Sequence, residues 1–212
     1  MTDSQFKAIE AHMLHHMQDS AHDKHHIYRV LRLVQDIAVH EPTANHSILI
    51  AAALLHDIGR KRQFADSTVC HAQAGGEMAY DFLVMQGWSK GDAAHVRNCI
   101  ISHRFRKANP PATIEAKILF DADKLDVAGA MGIARTLLYK GDANDPLYAL
   151  GDDGGIITQG RGGEGNSFIE EYNYKLKNIY DKFYTARGKE IGDKRQKIAV
   201  DFYAALLEEI GL

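Results

Sequence analysis

The run Ile48–Leu55, ILIAAALL, constrains this chain more than any other stretch of its 212 residues. It is apolar throughout and far shorter than the roughly 20 residues needed to cross a bilayer. It therefore reads as a helix buried on all sides. Such a helix needs neighbours, and apolar residues recurring at helical spacing supply them almost everywhere. Phe6, Ile9, Met13 and Met17 mark a first helix. Ile27, Val30, Leu31, Val34 and Ile37 mark a second, with Asp23 as its N-cap. The buried helix runs from about Thr43 to Ile58, where Gly59 can close it in the left-handed conformation. A fourth follows His71 and ends near Gly87. Ser89 with Asp92 has the signature of a capping box for a fifth, whose face carries Val96, Ile100 and His103.

A sixth helix starts after Pro110-Pro111 and passes through Ile114, Ile118, Leu119, Ala122 and Leu125, with spacing that is compatible with continuation to Tyr139. The segment Gly141–Asn166 then loses periodicity and is rich in glycine and aspartate, as in a functional loop or a disordered one. Ser167 with Glu170 forms another capping box, opening a helix that carries Ile169, Tyr172, Leu176, Ile179 and Phe183. A final helix carries Ile191, Ile198, Phe202 and Leu206 and stops at Gly211. No segment alternates as a strand does, so the expected class is all-α.

Composition narrows the function. Apolar residues make up 45% and charged residues 25%, which argues against a disordered chain. A net charge of −3 excludes the basic footprint of a dedicated nucleic-acid binder. Cys70 and Cys99 form no C-x-x-C motif, so reduced thiols are expected rather than a disulfide framework. With no signal-like apolar stretch near Met1, the expectation is a cytoplasmic protein with no membrane partner. The unusual count is histidine, at 12.

The buried helix ends on His56-Asp57, and an imidazole and a carboxylate are costly to bury without partners. One reading is helix capping by His56, with Asp57 accepting backbone hydrogen bonds. The other is a metal site. His26 lies four residues before Val30, and Asp123 four after Leu119, so each shares a face with an inward residue. Facing helices build metal sites in this way. Two neutral imidazoles and two carboxylates neutralise a divalent cation. The N-terminal His12, His15, His16, His22 and His25 read instead as a solvated helix face, with Asp23 capping explaining half of the His22-Asp23 dipeptide.

The ordered set His26, His56-Asp57 and Asp123, in the contexts HIYRV, LLHDIG and DADKLDVAGAMGIAR, resembles the HD superfamily of metal-dependent phosphohydrolases. The third block and the tail FIEEYNYKLKNIYDKFYTARGKEIGDKR resemble a bacterial subgroup that includes nucleoside triphosphate pyrophosphohydrolases. The likeness covers nearly the whole chain. It implies a single HD-type helical domain over 1–212, with a metal-binding core at 20–140, a loop at 141–166 and C-terminal helices at 167–212. It implies His26, His56, Asp57 and Asp123 as metal ligands, with Asp57 and Asp123 catalytic. Asp123 is preferred to Asp121 and Asp126 because it precedes Lys-Leu as the family's ligand does; those two are candidates to orient a ligand imidazole. Some HD proteins hold a second ion with histidines placed as His71 and His103 are, the aspartate of the pair bridging; hydrogen bonding at helix ends is the alternative for both.

A mixed nitrogen and oxygen set suits manganese, iron, nickel, cobalt or zinc, with magnesium a further option, as one or two ions. Arg60, Lys61 and Arg62 follow the HD pair, Lys124 follows Asp123, and Arg104, Arg106 and Lys107 follow His103. Of these, Arg60, Lys61, Lys124 and Arg104 are the candidates to bind substrate phosphate, which fits a nucleotide or polyphosphate; solvated helix ends explain them equally well. Tyr148 or Tyr172 are candidates to stack on a base, and the 141–166 loop to close over it. Two other classes stay open: an oxygen-using di-iron protein of the same fold, and a metal-stabilised sensor without turnover.

Overall fold

The computed structural model describes residues 1–17, 24–104, 109–159 and 167–211. The expected cap at Asp23, the adjoining His22, the basic residues Arg106 and Lys107, and the 160–166 end of the glycine-rich loop lie outside them. Among the described residues the structure is helical, with one isolated antiparallel bridge between Leu150 and Ile156. No described helix is long and apolar enough to cross a membrane. Cys70 and Cys99 are free thiols. The chain divides into two compact units, Met1–Asp123 and Lys124–Leu212.

The first unit contains α1 (Asp3–His16), α2 (Lys24–Ala38), α3 (His46–Leu55), α4 (Arg60–Ala65), α5 (His71–Met85), α6 (Lys90–Ser102) and α7 (Ile114–Leu125) up to Asp123. Helix α3 is the apolar run, and α1, α2, α5 and α6 pack around it. It starts later than expected, after Asn45, whose side chain accepts from the Ser47 and Ile48 N–H groups. It also ends earlier, at Leu55.

Gly59 does not close α3 in the left-handed conformation. Its φ is −81°, and it sits where a turn runs on into α4. A Cβ at Gly59 would lie 2.2 Å from the His71 carbonyl oxygen and 2.5 Å from the Gly75 nitrogen. Glycine is needed there for close backbone approach, so the turn carrying His56-Asp57 rests directly on the start of α5. At the head of α6, Ser89 Oγ accepts the Asp92 N–H and donates back to the Asp92 carboxylate. The hydroxyl thus takes the carboxylate that a capping box would aim at the backbone.

The second unit contains α8 (Gly129–Asp142), α9 (Phe168–Tyr174), the 3₁₀ turns Leu176–Asn178 and Tyr180–Lys182, and α10 (Ala186–Ile210). The sixth helix does not continue to Tyr139. It stops at Leu125, and α8 begins at Gly129 with φ +64°, where the Gly129 N–H donates to the Tyr180 hydroxyl. The Ser167–Glu170 capping box is present, but the helix behind it breaks after Tyr174 into the two 3₁₀ turns. Asn178 Nδ2 donates to the Asn173 and Tyr174 carbonyls released by the break.

Helix α10 ends at Gly211 in the left-handed conformation, as its position suggests. Its buried face is Gly188, Gly192 and Ala199, whereas Ile198 and Phe202 are 49% and 38% exposed. The Phe183 ring selects that face, because a Cβ at Gly192 would meet it at 2.3 Å. Tyr172, a candidate base platform, is core: it stacks on Tyr203 at 4.1 Å among Phe168, Ile169 and Tyr180.

Candidate metal centre

Four helices and a turn of the first unit carry the candidate ligands. His26 comes from the start of α2, His56 and Asp57 from the turn after α3, and His71 from the first residue of α5. His103 caps the end of α6, and Asp123 lies near the end of α7. All are buried except Asp123, whose side chain is 13% exposed. Their ligand-type atoms fall into two groups, His26–His56–Asp123 and Asp57–His71–His103, each within 4.8 Å.

Asp57 joins the groups. Its Oδ2 lies 3.7 Å from His26 Nε2 and 3.8 Å from His56 Nε2. Its Oδ1 lies 3.6 Å from His71 Nε2 and 3.7 Å from His103 Nε2. Asp123 Oδ1 completes the first group at 3.5 Å from His26 Nε2 and 3.8 Å from His56 Nε2. The two Nε2 atoms of His26 and His56 are 3.2 Å apart. Ligand atoms on one ion with bonds near 2.1 Å stand about 3–3.4 Å apart, so these spacings suit groups facing a common cation.

The donor chemistry fits as well. His56 Nδ1–H donates to the Ala53 carbonyl at 2.8 Å, and His103 Nδ1–H to the Ile100 carbonyl at 2.6 Å. His71 Nδ1–H donates to Gln63 Oε1 at 2.8 Å. Each bond places the proton on Nδ1 and leaves the Nε2 lone pair facing the centre. Burial holds His56 below its ordinary pKa, and burial aided by nearby Arg60 brings His71 down to about 3. Burial alone would raise Asp57; the imidazole of His56 and the Arg60 guanidinium override it and keep the carboxyl well below its usual range. Near neutral pH His56 and His71 are thus neutral imidazoles and Asp57 an ionised carboxylate. His71 Nε2 and Asp57 Oδ2 are buried with no hydrogen-bond partner. Orphaned atoms of this kind are costly without an ion or water between them.

The other expected residues are dispersed. Arg60 Nε is 3.0 Å from Asp57 Oδ1, so this cation is held by the carboxylate rather than standing free. Arg104 Nη1 leans on Cys70 Sγ at 3.6 Å. Lys61 is exposed, Lys124 half-buried, Asp121 buried and Tyr148 37% exposed. Asp126 pairs with Arg135 at 2.5 Å. His12 is not on a solvated face: its ring stacks on Phe82 at 3.8 Å, with Nε2 buried and unpartnered. Gln63 and Gly75 escaped sequence reasoning, and Gly59 was read only as a helix stop. Glutamine has no metal-ligand signature, and close backbone approach leaves no periodic trace.

Comparison with known proteins places the chain in a family. The chain is 30% identical over 197 residues to the uncharacterized protein YpgQ of Bacillus subtilis, covering 91% of this chain and 86% of that one. The crystal structure of B. subtilis YpgQ in complex with ADP superposes with a TM-score of 0.73 at 28% identity, covering 97% and 98% of the two chains. A predicted HD superfamily hydrolase from an uncultured Thermotogales bacterium gives 0.66 at 27% identity, with 97% and 92% covered. The HD domain family model matches residues 24–128, a span that takes in both ligand groups from His26 to Asp123, and the chain belongs to the HD family.

Proposed function

We propose that this chain is a metal-dependent phosphohydrolase acting on a nucleotide, with nucleoside triphosphate pyrophosphohydrolysis as the leading reaction. The observation that carries the reading is Asp57, whose two carboxylate oxygens face two separate histidine groups. His26, His56, Asp57 and Asp123 would hold one divalent ion, and Asp57, His71 and His103 a second. Bound ions at such a centre lower the pKa of water and polarise a phosphoryl oxygen. Asp57 and Asp123, both acceptors, orient the attacking water, and Asp123 does so from the more open side. Lys61 and Arg104 supply charge for the substrate phosphates, and Arg60 steadies Asp57 while it does the same. The ADP complex of YpgQ supports a nucleotide as the class of ligand.

The test is a panel of nucleoside mono-, di- and triphosphates with Mn²⁺, Co²⁺, Ni²⁺, Fe²⁺, Zn²⁺ or Mg²⁺ restored singly, read for pyrophosphate and for orthophosphate. Pyrophosphate release from triphosphates is the expected result. Failure of every metal to support hydrolysis would sink the reading. The two histidine groups sharing Asp57 also match what an oxygen-using di-iron protein requires. Dioxygen consumption by the iron-loaded protein, with no phosphate released, would favour that class.

A further inference from the structure

The three anchored imidazoles described above are not anchored alike. His56 and His103 each follow the last turn of their helix, and each donates Nδ1–H to the carbonyl three residues earlier. Carbonyls at a helix end lack intrahelical partners, so the acceptor is provided by the helix itself. His71 is the first residue of α5, and the residues before it are not helical. It has no preceding turn to draw on. Its Nδ1 partner is instead a side chain from another element, Gln63 of α4, with Oε1 at 2.8 Å. The same Oε1 receives Arg60 Nη1 at 3.4 Å, while Arg60 Nε reaches Asp57 Oδ1.

We propose that Gln63 is the positioning residue for the second metal ion, selecting the His71 tautomer that can ligate. This rests on the two-ion reading above. A carbonyl oxygen only accepts, so the Gln63 contact keeps the proton on Nδ1 and leaves a lone pair on Nε2. With the proton moved to Nε2, that atom would point N–H at the Asp57 oxygen and oppose the ion. Gln63 bonds directly to His71, a ligand of the second ion alone, and reaches Asp57, shared by both ions, through Arg60, so its loss bears most on the second ion. Partners that orient a ligand imidazole are typically worth about 10–100-fold in metal affinity.

The test titrates metal-free wild type, Gln63→Leu and Gln63→Glu with Mn²⁺, reading stoichiometry and affinity by calorimetry. In parallel, ¹⁵N NMR of the metal-free proteins reads the His71 tautomer. Wild type should bind two ions. Gln63→Leu should keep one ion at wild-type affinity, weaken the other by about 10–100-fold, and lose the uniform Nδ1–H signature. Gln63→Glu keeps an acceptor and should restore both. The proposal is overturned by a single ion in wild type, by two equally tight ions in Gln63→Leu, or by Gln63→Glu behaving as the leucine variant does. A wild type that binds two ions with this dependence yet hydrolyses no nucleotide would refute the proposed function and leave the role of Gln63 standing.

Discussion

Two regions of the first unit concentrate histidine, and they differ in what surrounds it. The C-terminal half of α1 carries His12, His15 and His16, with ring centroids 4.6 Å apart for His12 and His16 and 5.2 Å for His15 and His16. The interior carries His26, His56, His71 and His103 at comparable ring spacings. The interior rings face the carboxylates of Asp57 and Asp123, and three of them have Nδ1 tied to an acceptor. The α1 rings have an aromatic face at Phe82 and the cations Lys61 and Arg62 near His16. Histidine density therefore does not define a cation site. Negative charge and a fixed tautomer do.

The comparison can be broken most sharply at Asp57. Asp57→Ala removes the carboxylate common to both groups, so activity should fall at least about a thousandfold, roughly 4 kcal/mol of transition-state stabilisation. Metal analysis of the folded variant should show the loss of bound ions. Full hydrolysis by that variant would end the account.

Chelation comes next. With ion present at 100 times its Kd, its removal should cost about 2.7 kcal/mol of folding stability, seen as a lowered Tm that returns on adding metal. His12→Phe should show the same metal-dependent shift, because α1 lies outside the centre. Loss of the shift in His12→Phe would erase the distinction between the two regions.

A smaller effect is expected from pH. The fold holds His12 at about 4, below its ordinary 6.5, chiefly through burial with His16 and His15 adding. A depressed histidine favours the neutral form in the folded state. Its contribution is complete above about pH 6.5 and is lost as pH falls from there toward 4. Because His12 is only half-buried, the loss should be about 1 kcal/mol once solvent screening is allowed for. The denaturant midpoint of metal-free wild type should therefore fall relative to that of His12→Phe as pH drops from about 6.5 toward 4. Parallel curves would show that His12 titrates normally. The smallest expected effect is that of His15→Ala, which should change metal content and activity within error.

Much of this was legible from residue type and spacing. The apolar run of α3, the stripe of α2 and the Ser167–Glu170 box are local patterns, and the structure realises each. His56-Asp57 stood out because a polar pair at the end of such a helix needs partners, and the order of blocks resembling the HD superfamily suggested which ones. The misreadings share a cause. Gly59 was read as a cap when its role is backbone contact with α5, and Ile198 was assigned to the apolar face of α10 when Phe183 packs at Gly192 and Ile198 lies exposed. His12 was assigned to solvent while Phe82, far along the chain, covers it.

The chain by itself determined where helices form, which one is buried and which residue types are able to ligate, because periodicity and burial cost act over a few neighbouring positions. Only the tertiary structure decided how those residues meet: Asp57 turned toward both histidine groups, Gln63 rather than a backbone carbonyl behind His71, and Arg60 held on Asp57. Such contacts depend on how closely separate helices approach and which way each side chain faces, and neither quantity is written in the spacing of residues along one helix.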